Sequence, residues 1–386
     1  MRIPVYLDHA ATTPVRPEVL EAMLPFFGPR FGNPSSAHKW GREARTSLDE
    51  ARERVARCLG AQPDEICFTS GGTEGDNLAI LGTWRAVRDT RRAVVTSAIE
   101  HKAVLAAVHE VAREGGEERI LEVDPLGVVR PESVERLVDA DVAVCSIMWV
   151  NNEIGVMQDV AALADTAKAQ GAMFHTDAVQ AFGKVAIDAT RVAFDSLTIS
   201  GHKIGAPKGI GAMFIRRGTP LEPLMFGGMQ DRGRRPGTEN VAMAVGLARA
   251  AELAVAEREH EWAKLEAMRD ALEAQLVARI PDALVHGRGG PRAPHILNIS
   301  VPGTDSESLL MALDLKGVAC SAGSACQTGS VTPSHVLSAL GVRADLANAA
   351  IRLSLGALST DEGIAHVAEL FPALIEKARR LSGMGA

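Results

Sequence analysis

The chain has 386 residues, 46% of them hydrophobic and 23% charged, the composition of an ordinary globular protein long enough for two domains. Its 41 basic and 48 acidic side chains leave a net charge of −7, spread along the chain, which argues against a nucleic-acid surface. The opening MRIPVYLDHAATTP has no apolar leader core, and no later apolar run reaches the ~20 residues of a membrane span, so a cytoplasmic protein with no membrane partner is expected.

In chain order, KWGREARTSLDEARERVARCLG comes first and predicts a helix. It places Trp40, Ala44, Leu48, Ala51, Val55 and Leu59 on one face, with Gly60 as the stop. From Glu65 to about Ile215 short apolar runs alternate with helix-length segments: EICF, RAVVTSA, ERILEV, VAVCSIM, AMFHTD, SLTIS and GAMFI. That alternation predicts a mostly parallel sheet covered by helices on both faces. The stretch from Asn240 to Ala283 reads as one long connecting helix that Pro281 ends. Beyond it HILNISV, GVACSAGS and AIRLSLG read as strands among Gly/Ser/Pro-rich loops, and DEGIAHVAELFPALIEKARRL as a final amphipathic helix. The expected fold is α/β. Residues 14–258 form a large domain with a mostly parallel mixed sheet, and residues 1–13 with 259–386 form a smaller α/β domain.

Five cysteines without a CxxC pair and eleven histidines without HExxH spacing give no disulfide framework and no metal site. Cys58, Cys67 and Cys145 sit in apolar contexts and are expected as buried small hydrophobes, with Cys320 as packing.

In an open parallel sheet, ligands sit beyond the carboxyl ends of the strands, so the residues that follow each apolar run are the candidates. EICF is followed by TSGGTEGDN, a glycine-rich turn opening a helix, where Gly72 and Thr73 can cradle an anion. Taken alone it is equally a plain tight turn. It has neither the GxGxxG order of a dinucleotide fold nor a Walker GK[ST]. His101 follows AVVTSAIE, in a place where a single histidine is more often structural. Asp177 ends AMFHTD with Gln180 three residues on, and a carboxylate buried there needs a partner. SLTIS leads into Ser200, His202 and Lys203. Together these meet the demands of a phosphorylated aldehyde cofactor: a lysine for its carbonyl, an acid for its ring nitrogen and a phosphate cradle. The set predicts pyridoxal 5′-phosphate on Lys203. Lys208, in the Pro/Gly turn APKG, is the internal competitor.

Arg352, inside the apolar AAIRLSLG, is either an arginine reaching water from an edge strand or a bidentate clamp for an amino-acid carboxylate. Cys326 opens a polar Gly/Ser/Thr/Pro-rich loop, which suits a thiol that moves between a buried site and an external acceptor.

YLDHAATTP, FGNPSSAHKWG, TSGGTEGDNLAI, Glu100–His101, NNEIG, HTDAVQAFGK, SGHKIGAPKGIG, GGMQDRGRRPGTEN, GSAC and IRLSLG occur in the order found in cysteine desulfurases. Over nearly its whole length the chain resembles the nitrogen-fixation and iron–sulfur-assembly type of the class V aminotransferase superfamily, of pyridoxal-phosphate fold type I. The resemblance implies removal of sulfur from L-cysteine, giving L-alanine and a persulfide on Cys326. That persulfide would pass to an acceptor protein such as an iron–sulfur scaffold, with only transient iron–sulfur contact at Cys326. It also implies Lys203 as the cofactor lysine, Asp177 on the ring nitrogen, Gln180 on the ring hydroxyl, and His101 stacked on the ring as acid or base. The phosphate goes to Gly72, Thr73, Ser200 and His202. Thr238 reaches the phosphate of a neighbouring subunit, so a homodimer is expected. Asn152 and Arg352 hold the substrate, with Asn33 beside them. Ala206, Met229 and Asp231 depart from common family forms without touching these roles. A selenocysteine lyase or aminotransferase of the same fold would not need Cys326, and an accessory protein without turnover would not need Cys326, His101 and Arg352 together.

Overall fold

The computed structural model describes residues 4–322 and 333–381. Its strands are β1 (Val5–Tyr6), β2 (Ile66–Thr69), β3 (Ala93–Ser97), β4 (Glu117–Leu121), β5 (Val142–Ser146), β6 (Met173–Asp177) and β7 (Ser196–Ser200). They continue with β8 (Gly211–Ile215), β9 (Leu284–Val285), β10 (Ile296–Ser300), β11 (Val318–Ala319), β12 (Ser321–Ala322) and β13 (Ala350–Ser354).

Seven strands form one sheet in the order β2-β8-β7-β6-β5-β3-β4. β8 runs antiparallel to both neighbours and the other pairings are parallel, which makes the sheet mixed but mostly parallel, as the alternating runs predict. β2, β3, β5, β7 and β8 are buried at every position, because helices cover both faces. β4, EERIL, is the exception, a largely exposed edge whose charges blunt unwanted pairing.

The helix Lys39–Leu59 buries Ala44, Leu48, Ala51, Val55 and Leu59 and ends on Gly60 at φ 65°, the left-handed position that favours glycine. Trp40 departs from the expected face. It lies in the first turn and is 51% exposed, with the edge of His38 against it.

The smaller unit holds a four-stranded sheet in the order β12-β13-β10-β9, antiparallel throughout, with β1 and β11 as a separate parallel pair. The expected strand GVACSAGS is therefore two short strands with different partners, divided at Cys320. The 39-residue helix Val241–Arg279 joins the two cores. Leu247, Ala248 and Ala251 pack in the large core, and Leu265, Leu272 and Leu276 pack with Leu297, Leu353 and Phe371 in the small one. No helix among the described residues is long and apolar enough to cross a membrane.

Candidate active site

The carboxyl ends of β2, β3, β6 and β7 converge, and each carries polar residues where an all-apolar sheet end would otherwise stop. Asp177 is the last residue of β6 and is buried. Its Oδ1 accepts the backbone N–H of Val179 at 2.8 Å. Burial raises its pKa, and His101 and Lys203 pull it back. His101 caps the helix Lys102–Arg113, where its Nδ1 accepts the N–H of Ala103 at 3.2 Å. Its neutral ring therefore carries the proton on Nε2, and burial lowers its pKa against the pull of Asp177. Asp177, His101 and Asp76 bring one polar atom each within 4.8 Å of one another.

Lys203 closes the short 3-10 turn after β7. Its Nζ donates to the carbonyls of Ala10 at 2.6 Å and Ala11 at 2.8 Å. Burial, and then the charge of Arg352, push its amine down to about 8. Lys208, the competitor, is exposed in the turn beyond. The Ala10 carbonyl also accepts the amide of Gln180 at 2.9 Å, while Gln180 Oε1 faces His295 Nε2 at 3.2 Å.

The Gly71–Gly72 turn lies against Ser200 and Val179. A Cβ on Gly72 would come 2.9 Å from Val179 Cγ2 and 3.8 Å from Ser200 Cβ. Thr73 follows on the first turn of the helix Gly72–Asn77, which no side chain caps. His202 shares a hydrogen bond with Thr12 Oγ1 at 3.2 Å, and burial pushes its pKa down to about 4.

Arg352 settles one alternative from the sequence. β13 runs between β12 and β10, so Arg352 is not on an edge, and it is 1% exposed. Its guanidinium donates to Asp8 Oδ1 and to the Asn152 carbonyl, both at 2.9 Å, while its Nε has no partner among the described residues. Asn152 thus meets Arg352 through its backbone. Thr238 and Asn33 are exposed and outside this cluster. Thr238 precedes the long helix, and Asn33 Oδ1 accepts the N–H of Ser35 at 2.9 Å. Cys326 lies outside the described residues. Cys67 and Cys145 are buried; Cys58 and Cys320 are half-buried against the two cores.

Three acids escape a reading of the sequence by segments. Asp8 pairs with Arg352 from 344 residues away. Asp76 is buried beside Asp177, with its Oδ1 unpartnered and 3.7 Å from His175 Nε2, and burial followed by the charge of Asp177 holds its carboxyl well above the usual range. Glu100 is fully buried, accepts Ser97 Oγ at 2.5 Å and the Met148 N–H at 2.9 Å, and is pushed up to about 8 by burial. The one available signal was an acid inside an otherwise apolar helical or strand-end context.

The residues present fit pyridoxal phosphate. A buried carboxylate needs a cationic partner, a desolvated amine is held only by carbonyls, and a glycine turn beside a buried serine leaves bare backbone for a phosphate.

The chain matches the aminotransferase class-V family over residues 5–367. It is 44% identical over 382 residues to the cysteine desulfurase IscS of Dictyoglomus turgidum, covering 99% of this chain and 97% of that protein. It is 44% identical over 379 residues to the cysteine desulfurase NifS of Azotobacter vinelandii, covering 98% and 94%. Among solved structures, a NifS-like protein superposes with a TM-score of 0.91 at 36% identity, over 97% of this chain and 99% of that one.

Proposed function

The chain belongs to the aminotransferase class-V family, and from that premise we propose how its own residues divide the work of a pyridoxal-phosphate-dependent cysteine desulfurase. The observation that carries this reading is the convergence of Lys203, Asp177 and His101 on one buried site with Arg352 anchored at its edge.

Bound pyridoxal phosphate supplies an aldehyde for the amine of L-cysteine and a ring that absorbs the charge released at the α-carbon. Lys203 would hold that aldehyde, and as a free amine it would take the α-proton, a task suited to an amine near 8 rather than at the usual lysine value. Asp177 would hold the ring nitrogen and Gln180 the ring hydroxyl. Gly72, Thr73, Ser200 and His202 would hold the phosphate. Arg352 receives the substrate carboxylate through its free Nε edge, with Asn152 beside it, whereas Asn33 lies outside the cluster in a single chain. The thiolate of Cys326 attacks the substrate sulfur, the S–S bond forms as the C–S bond breaks, and the electron pair stays on the β-carbon. His101, with its proton on Nε2, donates to that carbon. Alanine leaves, and the persulfide on Cys326 passes to an acceptor protein such as an iron–sulfur scaffold.

In this reading residues 14–258 hold the cofactor, while 1–13 with 259–386 bring Arg352 and Cys326 to it. Thr238, exposed in a single chain, completes the phosphate site of a second copy in a cytoplasmic homodimer. The exposed Phe226 and Met229 nearby, 90% and 79% accessible, suit a face that a second copy covers.

The test is sulfide and alanine release from L-cysteine in the presence of a thiol reductant. Wild type yields both, and Cys326→Ala loses turnover while keeping its cofactor absorption. Undiminished turnover in Cys326→Ala would replace this reading with a lyase or aminotransferase of the same fold.

A further inference from the structure

A cavity of about 660 Å³ lies between the segment Thr13–Glu18, the helix Val241–Arg279 and the loop Leu355–Leu358. That volume is in the range of small-molecule sites. Of the active-site residues only Lys203 lines it; Asp177, His101, Asn152 and Arg352 do not. Its walls are apolar, with Val15, Ile204, Leu265, Leu355 and Leu358.

The charges at its mouth neutralise one another. Arg16 pairs with Glu257 at 2.6 Å and Glu18 at 3.3 Å, and Lys264 with Glu261 at 3.6 Å. Lys184 is different. Its amine has no hydrogen bond or ion pair among the described residues, and burial alone pushes it down to about 8 with no carboxylate in reach to oppose the shift.

Two histidines stand within the field of Lys184; burial depresses both, and the charge of Lys184 adds to it. His9 is fully engaged, with Nδ1 on the Ser354 carbonyl at 3.1 Å and Nε2 accepting the Leu358 N–H at 3.4 Å. His295 is not. Gln180 gives its amide N–H to Ala10, so its Oε1 accepts from His295 Nε2, and His295 Nδ1 is left as a bare acceptor. That Nδ1 is buried and unpartnered, in a residue only 1% exposed.

Lys184 and His295 both line the cavity, so its wall carries one cationic donor and one neutral histidine with an unpaired acceptor, beside apolar residues. A carboxylate answers the first and an adjacent hydroxyl the second. An ammonium in the hydroxyl's place would add a second positive charge beside Lys184. We propose that this cavity binds a small 2-hydroxy carboxylic acid with a branched apolar side chain, its carboxylate on Lys184 and its hydroxyl donating to His295 Nδ1. His295 holds Gln180, and Gln180 shares the Ala10 carbonyl with Lys203, so the cavity is linked to the active site by hydrogen bonds.

The test is calorimetric titration of the holoenzyme with 2-hydroxy-4-methylpentanoate, which has no amine to condense with the cofactor. One-to-one binding is expected, weakened about tenfold or more in Lys184→Met, the loss of one charge-assisted contact. 4-Methylpentanoate, without the hydroxyl, binds about fivefold more weakly than the hydroxy acid. L-Leucine, with an ammonium there instead, also binds this cavity more weakly, read as heat retained in wild type and lost in Lys184→Met. Arg352→Gln leaves binding of the hydroxy acid unchanged. Retained cofactor absorption shows that Lys184→Met is folded, and Lys184→Gln serves as the second variant with the same expected loss. No binding to wild type, equal binding to the Lys184 variants, or loss in Arg352→Gln, which would put the acid in the active site, each overturns the proposal.

Discussion

Two lysines, Lys203 and Lys184, are desolvated to the same result by different surroundings. Burial brings each amine down to about 8. Lys203 is held by two carbonyls and stands in the fields of Arg352 and Asp177. Lys184 faces a cavity with no partner and two neutral histidines. Desolvation sets how basic an amine is; the groups around it decide where it points and what it can receive. A depressed lysine pKa therefore does not by itself identify a catalytic lysine.

The sharpest separation of the two is by turnover. Lys203→Ala is expected to lower alanine release by about 10³-fold or more, since it removes both the proposed cofactor attachment and the proposed base. Lys184→Met should stay within about twofold of wild type, because it removes no group the reaction uses. A comparable loss in both variants would erase the distinction.

Arg352 touches the two amines unequally. Its charge depresses Lys203 and is not among the causes acting on Lys184. Arg352→Gln should lower kcat/KM for L-cysteine about 10²-fold, the worth of a charge-assisted carboxylate contact. It also removes a positive charge near Lys203, so the Lys203 pKa rises and the acid limb of the kcat profile moves to higher pH. An unmoved limb, or one displaced to lower pH, would mean that Arg352 does not govern Lys203.

Much of this contrast was legible before any coordinates, but not evenly. The strand that ends at Asp177 and the one that leads through a short turn to Lys203 announce themselves as short runs that stop at polar residues. Arg352 was visible, yet its buried setting depended on β13 lying between two partners, which no local pattern states. Asp8 acts across 344 residues, and the Ala10 carbonyl that organises Lys203 and Gln180 is backbone, which carries no signature in side-chain identity. Lys184, in QAFGK, carries no local signal of its setting; only the packing of the long helix and the Leu355–Leu358 loop around one cavity half-buries it. Trp40 fails in the opposite direction, apolar in pattern but exposed in the first turn of its helix.

The finest test of the comparison is the pH dependence of stability in the holoenzyme, where the proposed attachment of the cofactor to Lys203 leaves Lys184 as the free depressed amine. An unfolded lysine keeps its proton to about pH 10.4, whereas folded Lys184 releases it near 8. Between those values the unfolded state binds more protons, so wild-type stability rises with pH relative to Lys184→Met, by at most about 1.4 kcal/mol per pH unit. Below pH 8 both states are protonated and the difference curve is flat, with the methionine variant the more stable. His9 and His295 are held neutral and Glu18 and Glu257 are held ionised by their surroundings, so none of these neighbours titrates in that window. Urea midpoints from pH 7.5 to 10 read the slope. Saturating 2-hydroxy-4-methylpentanoate should flatten it, because a carboxylate on Lys184 holds the proton in the folded state as water does in the unfolded one. A slope that is absent without the acid would remove Lys184 from the set of desolvated amines. A slope that persists with the acid bound would place the acid elsewhere.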